Sequence, residues 1–268
     1  MIKIIFSDMD GTLLDANGNV PDGFAEVAAD LVRRGVLFAP SSGRQYDSLR
    51  DSFAPFPQDF LYLAENGTVV KHKDKLVFRS LMDKGIAEEI LARVEQMPEI
   101  YGVFCGTKSG YVCEDEYVPG FRDELHQYYT NTTELPTLRD VPDEPVKVSA
   151  YDPTGHADTR IYPYLKEFED RVQVVLASKN WLDVMRFGAN KGAAVRAVQE
   201  RFGIAPDECA AFGDYLNDTE MMGAVTYSFA MANAHPKIKE IARYETASNV
   251  DGGVLKGIRR LMEEGLIR

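Results

Sequence analysis

Two aspartates separated by one residue follow a short apolar run near the start of the chain, in "IIFSDMDGTLL", residues 4–14. The run is rich in Ile and too short for a helix, which is typical of a strand buried on both faces of a parallel sheet. Gly11 then allows the chain to turn. Asp8 and Asp10 are two residues apart, so in an extended backbone they share one side. Two carboxylates this close are costly unless a cation or a shared proton relieves them.

The same stretch has two other interpretations, a calcium-binding loop and a plain acidic turn. A DxDG sequence also opens an EF-hand calcium loop, which requires Gly at loop position six and Glu at position twelve. Counted from Asp8, these positions hold Leu13 and Asn19, so the calcium loop is excluded. A plain acidic turn remains an alternative for the stretch taken alone.

Two further stretches could bind an anion. "APSSGR", residues 39–44, follows the second predicted strand and offers the hydroxyls of Ser41 and Ser42 and the N–H of Gly43 at a helix start. "ANKGAAV" places Lys191 at the start of another helix, where a cation opposes the helix dipole and therefore indicates a function. Taken alone, the first stretch could be only a turn, and Lys191 could be a solvated surface residue.

A third stretch adds carboxylates. "FGDYLNDTEM" places Asp214 directly after a predicted strand, with Asn217 and Asp218 within the next turn. Asp214 alone could be a helix cap. However, the carboxyl ends of parallel strands face one crevice, so we expect all of these stretches to meet there.

The order of predicted elements indicates the fold class. The first and last thirds alternate strands such as "VLFAP", "FLYLA" and "ECAAFGD" with helices such as "FAEVAADLVRRG" and "KGAAVRAVQERFG". "ENG", residues 65–67, predicts a turn before a hairpin, and "YLNDTEMMGAV" predicts a helix. The middle mixes short strands with helices near "IAEEILARVEQM" and "DTRIYPYLKEFE". We therefore predict an α/β fold with a doubly wound, Rossmann-like parallel-sheet core of residues 1–82 and 188–268, and an inserted α+β domain of residues 83–187.

The composition of the chain limits the kinds of partner that it can bind. The chain has 268 residues and a net charge of −12, which disfavours a nucleic-acid backbone or an anionic membrane surface as partner. No run of about 18 apolar residues is present, and the first residues lack a signal-peptide layout. The three cysteines have no C-x-x-C spacing and the four histidines have no metal spacing. We therefore expect neither a disulfide framework nor a zinc site, and a reducing cytoplasm fits.

Taken in order, "DMDGTLL", "SSGR", "NKG", "GDYLND" and "MANA" resemble the haloacid dehalogenase (HAD) superfamily. More narrowly, the chain resembles its Cof-type phosphatases, which carry a large α+β cap of type C2B between the second and third motifs. The resemblance spans the whole chain. Ser42 stands where Thr is frequent and Ala232 where Gly is frequent, and neither change removes a needed chemical group. The resemblance implies a Mg²⁺-dependent phosphatase that acts on a small phosphorylated metabolite, first of all a sugar phosphate, through an aspartyl-phosphate intermediate.

The resemblance also implies a role for each site residue. Asp8 would be the nucleophile, and Asp10 the general acid and base. Mg²⁺ would be held by an Asp8 oxygen, the Asp10 backbone carbonyl and Asp214, with Asp218 holding a metal-bound water. Lys191 would offset the charge of the nucleophile and the phosphoryl group. The phosphoryl oxygens would be bound by Ser42, the N–H groups of Gly43 and Met9, and the Asn217 amide.

The inserted domain would act as a cap that excludes water and contacts the leaving group, while Arg44 would brace its own loop. We expect a cytoplasmic monomer or weak dimer whose partner is a small phosphorylated metabolite. Two alternatives stay open: a phosphomutase on the same scaffold, and a non-catalytic protein that binds a phosphorylated metabolite. The second should have lost an acid, whereas Asp8, Asp10 and Asp214 are all present.

Overall fold

The computed structural model describes residues 1–116 and 119–268. Its strands are β1 Ile4–Asp8, β2 Leu37–Ser41, β3 Leu61–Ala64, β4 Val69–His72, β5 Lys75–Arg79, β6 Tyr101–Gly106, β7 Gly110–Cys113, β8 Thr132–Leu135, β9 Pro145–Tyr151, β10 Gln173–Leu176, β11 Trp181–Met185, β12 Cys209–Gly213, β13 Tyr227–Ala230 and β14 Tyr244–Glu245. Its α-helices are α1 Phe24–Arg33, α2 Tyr46–Ser52, α3 Lys84–Val94, α4 Pro119–Leu125, α5 Ala157–Arg160, α6 Tyr162–Leu165, α7 Lys191–Phe202, α8 Thr219–Met222, α9 Pro236–Ile241 and α10 Gly253–Glu263. None of these described helices has both the length and the apolar character needed to cross a membrane.

Met1–Phe78 and Asn190–Arg268 form one compact unit. Its sheet has the strand order β14-β13-β12-β1-β2-β3-β4-β5. Pairing is parallel from β14 to β3, and β4 runs antiparallel to β3. The chain proceeds outward from β1 to β3 on one side and from β12 to β14 on the other. The strand order therefore reverses between β1 and β12, which is where open α/β sheets form ligand crevices. The predicted doubly wound α/β core is confirmed.

The central strands of this unit are closely covered by helices. Every residue of β1 and β12 is buried, as their small and apolar residues predict. On one face, Phe24 of α1 packs edge-on against Phe38 of β2, with ring centroids 5.1 Å apart. Gly257 lets α10 approach β12, because a Cβ at that position would lie 2.4 Å from the Phe212 ring. The helices cover the faces of the sheet, and the polar residues lie at the carboxyl ends of the strands.

Arg79–Ala189 form the second compact unit. Among its described residues the strand order is β10-β11-β9-β6-β7-β8. Neighbouring strands pair antiparallel from β10 to β7, and β8 runs parallel to β7. Its hydrophobic core includes Ile90 of α3, Phe104 of β6 and Val148 of β9. This unit therefore has a mixed sheet and a core of its own.

Two helices are shorter than the sequence pattern predicts. The segment "DTRIYPYLKEFE" forms α5, α6 and a 3₁₀ turn at Lys166–Phe168 instead of one helix. Pro163 lacks an N–H and its ring clashes with the carbonyl four residues earlier, which interrupts the helix. In "YLNDTEMMGAV" only α8 is α-helical, after a 3₁₀ turn at Leu216–Asp218. The short helix α4 was not predicted.

Candidate active site

Strand β1 carries Asp8 to the point where the strand order reverses. Asp8 is the last residue of β1, lies opposite Ser41 of β2 and is 7% exposed. The chain then turns over Met9–Leu13, where Gly11 has a φ of 80°. That left-handed conformation is available to Gly at little cost. Asp8 is therefore a nearly buried carboxylate at the carboxyl end of a central strand.

Lys191 contacts Asp8 directly. Asn190 caps α7, and its side-chain oxygen accepts a hydrogen bond of 2.8 Å from the N–H of Ala193. The Lys191 Nζ donates to Asp8 Oδ1 and, at 2.6 Å, to Asp218 Oδ1. The Lys191 side chain is fully buried, which excludes a solvated surface lysine. The helix start that looked unfavourable for a cation thus places an ammonium group between two carboxylates.

Asp214 and Asp218 follow β12 and complete an acidic cluster. Asp218 Oδ2 accepts hydrogen bonds from the N–H groups of Asp214, at 3.0 Å, and Tyr215, at 3.3 Å. Asp214 Oδ1 accepts a 2.7 Å hydrogen bond from Thr12 Oγ1. A Cβ on Gly11 would lie 2.5 Å from Asp214 Oδ2, so Gly11 is what lets the two loops approach.

The cluster holds more negative than positive charge. Carboxylate oxygens of Asp8, Asp214 and Asp218 lie within 4.8 Å of one another, and Lys191 is the ammonium group bound to two of them. Burial and the neighbouring Asp218 raise the pKa of Asp8, although Lys191 opposes the shift. Burial likewise raises the pKa of Asp214, against the Thr12 hydrogen bond. Burial alone would lower the pKa of Lys191, but Asp218 and Asp8 outweigh it and raise that pKa, so the ammonium stays charged.

Asp10 points to a different partner. Its side chain is 57% exposed, and it pairs with Arg44. The Arg44 guanidinium donates to both carboxylate oxygens, at 2.6 Å to Oδ1 and 3.2 Å to Oδ2. We expected Arg44 to brace its own loop, and the structure adds this pairing with the carboxylate that follows Asp8.

The predicted phosphoryl-binding residues occupy two neighbouring segments. Ser42 and Met9 are buried, and Gly43 lies against the side-chain amide of Asn66, since a Cβ on Gly43 would be 3.3 Å from both amide atoms. Asn217 is exposed, and its Nδ2 donates to Asn66 Oδ1 at 3.5 Å. The loop after β2 and the turn after β12 therefore meet at Asn66.

The sequence profile of the haloacid dehalogenase-like hydrolases matches residues 5–258. The chain belongs to this family. Among its relatives, the 5-amino-6-(5-phospho-D-ribitylamino)uracil phosphatase YbjI of Escherichia coli K12 is 27% identical over 98% of this chain and 97% of its own length. The HMP-PP phosphatase of Escherichia coli strain 55989 is 27% identical over 89% of this chain and 87% of its own. The crystal structure of SMU.1108c from Streptococcus mutans UA159 superposes with a TM-score of 0.85 at 25% identity, over 98% of this chain and all of that one.

These matches confirm the family and the phosphatase class that the sequence predicted. Hydrolases of this family generally use Mg²⁺, and the donor set of this chain fits that ion. Asp8 and Asp214 offer hard oxygen ligands, and the excess of negative charge is what a divalent cation would offset. Asp218 is less suited as a direct ligand, because Lys191 and two backbone N–H groups already engage its oxygens.

Some residues of this hydrolase site were not found from its sequence. Thr12 binds Asp214, and Asn66 lies between Gly43 and Asn217. Thr12 follows the aspartate pair directly and could have been noticed as a hydroxyl near the carboxylates. Asn66 was recognised only as part of a turn, since nothing in the chain order links it to residues 151 positions away.

Proposed function

We propose that this hydrolase cleaves the phosphate ester of a small phosphorylated metabolite, with Asp8 as the nucleophile. The observation that carries the proposal is the contact of the buried Lys191 ammonium with Asp8, beside Asp214 and Asp218. A buried cation offsets charge both on the attacking carboxylate and on a phosphoryl group, where catalysis depends on positioning and charge stabilisation. The names of the relatives as phosphatases support the same reaction class.

In the proposed first step, an Asp8 oxygen forms a bond to phosphorus while the bond from phosphorus to the leaving oxygen breaks. Asp10, as the carboxylic acid, gives its proton to that oxygen. In the second step, water attacks the phosphorus of the aspartyl-phosphate, Asp10 takes the water proton, and the bond to Asp8 breaks. Asp8 and the Asp10 acid are thereby regenerated. Because Arg44 donates to both Asp10 oxygens, we propose that this ion pair opens when the phosphoryl group binds.

We propose that Mg²⁺ is held by the carboxylates of Asp8 and Asp214 and by the Asp10 carbonyl. When bound, it would supply positive charge to the phosphoryl oxygens. Lys191 orients Asp8 and binds one oxygen of Asp218, so Asp218 would hold a metal-bound water rather than the ion itself. The phosphoryl group is bound by the Ser42 hydroxyl, the N–H groups of Gly43 and Met9, and the Asn217 amide.

We further propose that the substrate is a sugar phosphate or a related small phosphomonoester, with the Arg79–Ala189 unit acting as the cap that contacts the leaving group. The relative named for a 5-phospho-D-ribityl compound supports a phosphorylated sugar-like chain. A cytoplasmic location and a monomer or weak dimer complete the proposal, and light scattering after size exclusion tests the assembly state.

The test is a screen of phosphomonoesters with the purified protein, scored for released inorganic phosphate. We expect turnover with Mg²⁺, loss in excess chelator and recovery when Mg²⁺ is restored. Asp8→Asn protein is the control for a contaminating phosphatase. Activity that requires a sugar bisphosphate activator would indicate a phosphomutase, and the absence of phosphate release from every ester would contradict the proposal.

A further inference from the structure

The turn Glu65–Gly67 has an unusual backbone. Glu65, Asn66 and Gly67 all have left-handed φ values, of 51°, 55° and 87°. This conformation costs energy for a residue with a Cβ, and it costs Glu more than Asn. Single residues, rather than runs of residues, usually adopt it. Such strain persists only where the surroundings fix it, and it clusters at functional sites. The contacts of the turn therefore show what it holds.

The first contacts are with the loop after β2. The N–H of Glu65 donates to the carbonyl of Arg44, and the N–H of Asn66 donates to the carbonyl of Ser42, both at 2.9 Å. The Asn66 amide lies against the Cα of Gly43, where a Cβ would be 3.3 Å away. The turn thus fixes both ends of the Ser42–Arg44 loop and packs against its middle residue.

The remaining contacts reach two other segments of the same unit. Asn66 Oδ1 accepts from Asn217 Nδ2 at 3.5 Å. Gly67 packs on the start of α7, since a Cβ there would lie 2.8 Å from the Asn190 carbonyl oxygen and 3.0 Å from the Lys191 Cα. One strained turn therefore touches all three segments that carry Ser42, Asn217 and Lys191.

We propose that Asn66 is a positioning residue of the phosphoryl-binding site. Its backbone N–H binds the Ser42 carbonyl, and its side-chain amide lies against Gly43 and accepts a hydrogen bond from Asn217. Asn66 acts through these neighbours and does not itself touch the substrate. This inference rests on the proposed phosphatase function, because Ser42, Gly43 and Asn217 are its proposed phosphoryl ligands.

Two substitutions separate the backbone from the side chain. Asn66→Gly adopts a left-handed φ without steric cost but deletes the amide, whereas Asn66→Ala deletes the amide and adds strain, because Ala tolerates a left-handed φ less well than Asn. Lys73→Gly is the matched control, because Lys73 has a φ of 52° but lies in the β4–β5 turn and pairs with Asp59. We expect Asn66→Gly to keep the melting temperature of the wild type, and Asn66→Ala to lower it.

Activity and phosphate affinity should depend on the presence of the Asn66 side-chain amide. We expect both Asn66 variants to lose about tenfold or more in kcat/KM, equally for every ester, because a uniform loss is the sign of a disturbed common phosphoryl site. Calorimetric titration with inorganic phosphate in the presence of Mg²⁺ should show a similar loss of affinity. Lys73→Gly should match the wild type in both measurements.

Two results would overturn the inference. One is Asn66→Gly protein that matches the wild type, within about twofold, in kcat/KM and phosphate affinity. The other is a fall in its melting temperature with activity restored on cooling, which would make the turn structural only. If the wild type releases no phosphate from any ester, the proposed function fails, and the phosphate titration of the wild type and Asn66→Gly still decides the role of Asn66.

Discussion

Asp8 and Asp218 share one ammonium group, and Asp214 adds a further carboxylate within 4.8 Å. Burying this group of charges costs folding free energy unless a cation relieves it. The raised pKa values of Asp8 and Asp214 express that cost. A buried excess of negative charge of this kind is useful to an enzyme whose site must bind a metal ion and orient a nucleophile.

The first prediction concerns Asp8→Asn. Turnover should be lost, because an amide cannot form the aspartyl-phosphate. The melting temperature of the metal-free protein at neutral pH should stay level or rise, because one of the mutually repelling carboxylates is removed. Differential scanning calorimetry and phosphate release measure the two effects. The control is Asp22→Asn, which removes an equal charge from an exposed position and should change neither turnover nor the melting temperature. Turnover above about a tenth of the wild-type rate in Asp8→Asn would contradict the assignment of Asp8 as the nucleophile.

The second prediction concerns Mg²⁺ and pH. Because the pKa values of Asp8 and Asp214 are raised, the folded protein binds more protons than the unfolded chain in the window above the ordinary carboxyl range. For these groups, the stability of the metal-free protein therefore falls as pH rises through that window. Mg²⁺ competes with the same protons, so the rise in melting temperature that it causes should be large at about pH 7.5 and small at about pH 5.

Asp214→Asn is the matched variant for this measurement. It should lose most of the Mg²⁺-induced rise in melting temperature at neutral pH, because the amide is a weaker ligand than the carboxylate. An undiminished response in this variant, or a response of the wild type that grows as pH falls, would show that the metal does not bind at this cluster.

At the scale of elements, the sequence was sufficient wherever local pattern determines structure. The apolar runs at β1 and β12 and the polar residues directly after them predicted where Asp8 and Asp214 lie. It was insufficient where distant residues decide. Arg44 and Asp10 are separated by 34 positions, and only the fold brings the guanidinium to that carboxylate. Asn-Gly at residues 66–67 predicts a turn, but no local pattern shows that the N–H of Asn66 donates to the carbonyl of Ser42 in another loop.

The third prediction concerns the packing of α10 on β12. In a solvent-exposed helix interior, Gly→Ala would stabilise by up to about 1 kcal/mol. At Gly257 the new Cβ would lie 2.4 Å from the Phe212 ring, so helix and strand must separate. We expect Gly257→Ala to lower the free energy of unfolding by about 1–3 kcal/mol, as overpacking does. Urea denaturation measures it, with Lys256→Ala on the exposed face of α10 as control, and a stabilised Gly257→Ala protein would refute the packing argument.

At the scale of the whole molecule, the proposed chemistry and the proposed substrate specificity rest on different parts of the chain. The four predicted charged site residues, Asp8, Asp10, Lys191 and Asp214, all belong to the unit of Met1–Phe78 and Asn190–Arg268. Roles can be proposed for them from the sequence because every phosphate ester presents the same phosphoryl group. The leaving group differs between substrates, so no fixed motif marks the residues that would bind it. The substrate was therefore the part of the function that the sequence could not specify.

The last prediction tests this division of labour by exchanging units. In a chimera, residues 79–189 are replaced by the aligned segment of YbjI, which matches 98% of this chain over 97% of its own length. The junctions follow the boundaries of the compact units, after Phe78 and before Asn190. If the insert contacts the leaving group, the chimera should rank a panel of phosphomonoesters as YbjI does, while its Mg²⁺ dependence is retained.

Ser42→Ala in the parent chain is the matched comparison. It removes a hydroxyl proposed to bind the phosphoryl group, so kcat/KM should fall by a similar factor for every ester and the ranking should stay the same. The reciprocal chimera, with this insert in YbjI, should acquire the ranking of the parent chain and thereby exclude an artefact of the junctions. Only groups that contact the leaving group can discriminate between substrates. Specificity would therefore reside in the core if each chimera ranked the esters like the protein that supplied its core, and if Ser42→Ala changed the order of the esters.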